Sequence, residues 1–129
     1  MKIKKLLLTA VLLTFNGVSG ASTDDGWMLY TDSPVGSLYI HPKSIASDVF
    51  GHKTMWIKIV NPTPVDGVKT TKTLNVYDCD SKNQGVSHFI QYDNNNNVIK
   101  EFRLPTITAA KNTLDPDSFH YEMIKLLCY

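Results

Sequence analysis

From residue 27 onward the chain is a succession of short apolar segments divided by turn chemistry. Segments 27–31 and 38–41 are rich in aromatic and aliphatic residues, and Asp32-Ser33-Pro34-Val35-Gly36 between them suits a tight turn, so the pair reads as a hairpin. His41-Pro42-Lys43-Ser44-Ile45 then predicts a short helical turn, with Pro42 at its first position and Ile45 tucked back into the core. Segment 53–60 alternates as a third strand, and the prolines of Asn61-Pro62-Thr63-Pro64 are expected to stop it, because proline cannot donate to a sheet ladder. Segments 68–79, 86–92 and 98–104 are β-branched and aromatic, and the last two are joined by an Asp93–Asn97 turn whose asparagines tolerate positive φ. Six strands in sequence are therefore expected.

The period changes at the C-terminus. Phe119, Met123, Leu126 and Leu127 fall on one helical face, Asp115 suits the N-cap and Pro116 the first helical position. An antiparallel meander of six strands with one C-terminal helix packed on it, an α+β fold, is the simplest arrangement that buries these faces.

At the other end, Lys2, Lys4 and Lys5 precede an apolar run from Leu6 to Phe15 and small residues up to Ala21. A basic flank, an apolar stretch too short to span a bilayer and small residues at the cut predict a secretory leader over 1–21 and a mature domain over 22–129, placed in the periplasm, at the outer surface or outside the cell. With no cysteine after the apolar run, a lipid anchor is not expected. Without the leader's lysines the mature chain carries ten basic and twelve acidic residues, which argues against nucleic acid as a partner.

Cys79 and Cys128 are the only cysteines. Export places them in an oxidising compartment, and neither a Cys-x-x-Cys pair nor a Cys-His cluster offers redox or metal chemistry, so they are expected to be bridged. Such a bridge would staple the terminal helix to the end of the fourth strand.

Gly26-Trp27 opening the first strand, Leu38-Tyr39-Ile40-His41-Pro42-Lys43-Ser44-Ile45, Met55-Trp56-Ile57, Tyr77-Asp78-Cys79 and the closing Cys128, in that order, resemble the surface-adhesin protein E family of Gram-negative bacteria. The resemblance runs over essentially the whole mature chain. It implies a six-stranded antiparallel sheet with a disulfide-tied helix, and for the family's namesake a surface adhesin that binds host vitronectin and laminin, with haem binding as a second activity. His41 stands where the family more often has an acidic residue.

Catalytic chemistry is sparse. His41, His52, His88 and His120 show no metal-ligand spacing, Asp78-x-Asp80-x-Lys82 puts a cation where a calcium loop needs oxygen, and no nucleophile elbow or phosphate loop occurs. Asp78 and Asp80 read as solvated strand-end acids. No enzyme activity, no metal and no cofactor is therefore assigned, although a histidine or tyrosine near an open face could serve a carrier of haem or another small hydrophobic ligand.

Apolar and aromatic residues, however, stand on both faces of several strands, while one helix covers only one face. The second face would be closed by sheet curvature, by the 61–68 loop or by another protein chain. Trp56, Lys58 and Tyr77 are the residues expected there, as contacts for a protein partner or for a second copy of the chain.

Overall fold

The computed structural model describes residues 25–129, without the side chains of Ile107 and Thr108; the leader expected over 1–21 lies outside the described residues. Six strands form the meander in chain order: β1 (Met28–Ser33), β2 (Gly36–Ile40), β4 (His52–Val65), β5 (Val68–Asp78), β6 (Asn83–Tyr92) and β7 (Val98–Arg103), every pair antiparallel. Two further pieces of two residues each raise the count to eight rather than six: β3 (Ala46–Ser47) on β4 and β8 (Asn112–Thr113) on β6. Their brevity explains the difference, since two residues carry no periodic signal.

β2 and β3 share one side of β4, and a single 3-10 turn over Pro42–Ser44 joins them. The backbone of Trp56 lies opposite that gap. Its carbonyl accepts from the His41 N–H at 3.1 Å, and its N–H donates to the Ser44 hydroxyl at 3.0 Å, so the Pro-Lys-Ser turn satisfies the stretch of β4 between the β2 and β3 pairings. Ile45 does not tuck into the core; it is 41% exposed, because its extended backbone leads straight into β3.

The two prolines after Asn61 do not end β4, which runs on to Val65. They do interrupt the ladder: pairing with β5 skips from Val60 to Val65. Side chains bridge the gap, with Asn61 Nδ2 donating to the Val68 carbonyl at 3.0 Å and Lys69 Nζ to the Pro62 carbonyl at 2.9 Å. Beyond it Asp66 and Gly67 both take positive φ and turn the chain into β5. At the β6–β7 hairpin the Asp93 carboxylate accepts from the N–H groups of Asn95 and Asn97, and Asn96 takes φ 66°.

The terminal helix spans Phe119–Cys128. Its N-cap is Ser118, whose hydroxyl accepts from the Tyr121 N–H, and not Asp115; the latter is used one turn earlier, where its carbonyl and carboxylate take the N–H groups of Ser118 and Asp117. Met123 and Ile124 of this helix pack with Ile40, Met55, Ile57 and Tyr77 to form the core, which Tyr30, Leu38, Phe119 and Leu127 flank. Cys79, directly after β5, is bonded to Cys128, the last helical residue, across 49 positions of sequence.

A second, smaller cover lies on the opposite face. The four-residue helix Thr106–Ala109 passes so close to β6 that a Cβ on Gly85 would sit 1.5 Å from the Ala109 carbonyl oxygen. Only glycine admits that approach. Val76, across the ladder from Gly85, and Thr54, across from Val76, are buried at this end. The 106–109 segment, rather than the 61–68 loop, closes part of the second face, and the remainder stays uncovered.

Candidate functional site

Cross-strand register fixes what the uncovered face displays, because paired residues point to the same side of a sheet. One row crosses all six strands of the meander as Leu29, Tyr39, Lys58, Lys72, Ile90 and Glu101. A neighbouring row runs Trp56, Leu74, His88 and Arg103. On the other side lie Val60, Thr70 and Tyr92. None of these side chains belongs to the core, and every aromatic ring among them is half-buried.

Trp27 joins them from just before β1. Gly26, at φ 97°, lets the chain turn over the His41 ring, which stands edge-on to Trp27 with centroids 4.8 Å apart. The indole reaches across the sheet to the two lysines. Lys58 Nζ lies 4.6 Å from its centroid and 4.8 Å from that of Tyr39; Lys72 Nζ lies 5.9 Å from Trp27 and 5.0 Å from Tyr92. Two ammonium groups opposite each other across β4 and β5 are thus held between three aromatic faces, whose negative quadrupoles offset part of the repulsion. Beside them a groove of about 310 Å³ opens between Lys58, Lys72, Tyr92 and Asn96.

Trp56 packs edge-on against His88 at 5.1 Å, and His88 Nε2 lies 2.7 Å from Glu101, which Arg103 also approaches at 3.6 Å. The His88 hydrogen bond, assisted by the charge of Arg103, holds the Glu101 carboxyl below its ordinary range. This chain of contacts fixes the Trp56 ring from one side.

Trp56 and Lys58 therefore share the uncovered face, but Tyr77 does not. Its partner across the ladder is Lys53, which has the parity of Met55 and Ile57, so Tyr77 lies beneath the helix with 0% exposure. Its hydroxyl is 2.9 Å from His120 Nδ1. Burial pushes the Tyr77 phenol up and the His120 imidazole down, so both are neutral at pH 7 and share one hydrogen bond. Trp27, Tyr39, Lys72, His88 and Tyr92 are members of the face that sequence reasoning missed.

The remaining histidine, His52, is buried at the start of β4, with Nδ1 2.9 Å from Asp48 and Nε2 3.7 Å from Asp78. Asp48 also accepts from the hydroxyl of Thr106 and from the N–H groups of Phe50 and His52, which ties the 106–109 segment to the sheet. Burial alone would raise the Asp48 carboxyl, yet these hydrogen bonds outweigh it and hold the group well below the usual carboxylate range. A carboxyl depressed on folding stabilises the fold above its unfolded value near 4, and that contribution is lost as pH falls toward the folded one. The urea midpoint is expected to drop between about pH 4 and pH 2, and Asp48→Asn, less stable at neutral pH, should flatten that acid limb. Equal acid slopes in wild type and variant would show that Asp48 is not the linked group.

Among the described residues no cluster of three metal-ligating side chains occurs, and no helix is long and apolar enough to cross a membrane. A family model described as Surface-adhesin protein E matches residues 27–129. No curated protein and no solved structure gives a match.

Proposed function

Because this chain belongs to the surface-adhesin protein E family, we propose that it is an exported, non-enzymatic binding module that holds a protein partner against the uncovered aromatic face. Host matrix proteins such as vitronectin or laminin are the partners that the family points to. The observation carrying this reading is the group of half-buried Trp27, Tyr39, Trp56 and Tyr92 rings around two lysines on the part of the second face that the 106–109 helix leaves open. Tryptophan and tyrosine supply large contact areas at low cost in side-chain entropy, and they dominate measured interface energetics.

Binding of the mature protein to immobilised vitronectin and laminin, measured by surface plasmon resonance, tests the reading. Trp27→Ala and Trp56→Ala should each weaken binding about fivefold or more, the loss expected of an interface anchor, while the melting temperature moves by only a few degrees. Unchanged binding by both variants, with wild-type protein bound, would place the contact elsewhere. Sedimentation of the free protein measures the alternative, self-association through the same face, which Trp56→Ala should then weaken.

A further inference from the structure

We propose that the partner segment recognised by this face is an acidic peptide, whose Asp or Glu carboxylates settle between Lys58 and Lys72. The inference rests on the reading of the face as a protein-binding surface and adds the chemistry of what it binds.

The argument begins with placement. Lys58 and Lys72 are a direct cross-strand pair at the centre of the sheet, where like charges oppose each other at close range. Both are turned toward rings rather than away from each other: Trp27 lies under both, with Tyr39 outside Lys58 and Tyr92 outside Lys72. Among the described residues Lys72 makes no ion pair, and the acid in its own row, Glu101, is two strands away and already engaged by His88 and Arg103. A carboxylate entering between the two ammonium groups converts their mutual repulsion into two charge-assisted contacts.

Shape and extent decide which anion. Val60, Thr70, Tyr92 and Asn96 line the groove beside the pair, so an entering side chain meets apolar and hydrogen-bonding surface as well as charge. Leu29 and Ile90 extend apolar surface along the lysine row. Nucleic acid and anionic membranes are held by many cations spread over a wide surface. Two lysines flanked by aromatic and aliphatic side chains instead match a short carboxylate-bearing segment of polypeptide, whose attraction comes from this local pair, since the mature chain is slightly acidic as a whole.

Fluorescence anisotropy of labelled hexaglutamate with the mature protein tests the proposal, with hexaglutamine and a heparin hexasaccharide as comparisons. Hexaglutamate should bind roughly tenfold more tightly than hexaglutamine, and its affinity should fall between about 50 and 300 mM NaCl. Lys72→Gln should weaken it about fivefold, Lys58→Gln/Lys72→Gln should abolish it, and Lys72→Arg should retain it, all with melting temperatures near wild type. Hexaglutamate binding that survives the double substitution, or that never exceeds hexaglutamine, overturns the proposal. Tight heparin binding without hexaglutamate binding overturns it in favour of a sulfated glycan. The same variants on immobilised matrix proteins separate the two readings. Loss of binding in Trp27→Ala but not in the lysine double variant leaves the face as the contact and removes the acidic ligand. No loss in either removes the face itself.

Discussion

Replacing Cys79 and Cys128 together with serine is expected to lower the stability of the domain by about 4 kcal/mol, the chain-entropy cost of opening a loop of about 50 residues. For a domain of this size that corresponds to a fall in melting temperature on the order of 15 °C. The bridge matters here because of what it joins. The terminal helix has ten residues, too few to persist alone in water, and it is the cover for the whole Ile40, Met55, Ile57 and Tyr77 cluster. It is tied at its last residue to the residue after β5, so opening the bridge frees the C-terminal end of the helix from the sheet. Thermal melts of the double variant, or of wild type under reductant, give the measurement. A shift of less than about 3 °C would mean that Met123 and Ile124 hold the helix by packing alone.

The meander, the terminal helix and the bridge were legible because each has a local signature: period-two apolar segments, a period-3.6 face, and two lone cysteines behind a leader-like N-terminus. The helix start was misplaced by three residues since Asp115 and Ser118 are both good caps, and only the chain's path shows that Asp115 serves the turn before it. The proline run misled in a different way. Pro62 and Pro64 break the ladder as their chemistry demands, but extended backbone continues through them because side chains of Asn61 and Lys69 bridge to the opposite strand.

Half of the uncovered face was hidden for a reason of register. Parity within β4 separates Trp56 and Lys58 from Met55 and Ile57 from sequence alone, but parity does not carry from one strand to the next. Placing Lys72 opposite Lys58 requires the β4 to β5 register, which is set across a skipped stretch of ladder, and placing His88 requires the shift between Leu74 and Asn75 where β5 meets β6. Tyr77 was lost to the same cause. Set against Leu74 and Val76 it falls on the opposite face, as expected, but those two residues share the face of Trp56, which puts Tyr77 under the helix.

That placement makes Tyr77 the residue whose truncation should hurt most. Tyr77→Ala is expected to cost about 3 to 5 kcal/mol, because it empties a fully buried ring site between β4, β5 and the helix where close packing leaves little room to collapse. Tyr77→Phe keeps the ring and removes only the hydroxyl, leaving His120 Nδ1 without its hydrogen-bond partner, and should cost about 1 to 3 kcal/mol. The pair is also linked to pH. His120 is depressed by burial, so its contribution is complete above its unfolded value near 6.5 and declines as pH falls toward the folded one. Urea unfolding at pH 7 and pH 5.5 should therefore show wild type weakening before Asp48 begins to titrate, and substituting His120 with Gln should remove that first step. Neither Tyr77→Phe nor the His120 substitution touches the uncovered face, so matrix-protein binding per folded molecule should stay at the wild-type level while stability falls. A loss of binding at full folding in Tyr77→Phe would mean that the two faces are coupled through β4 and β5.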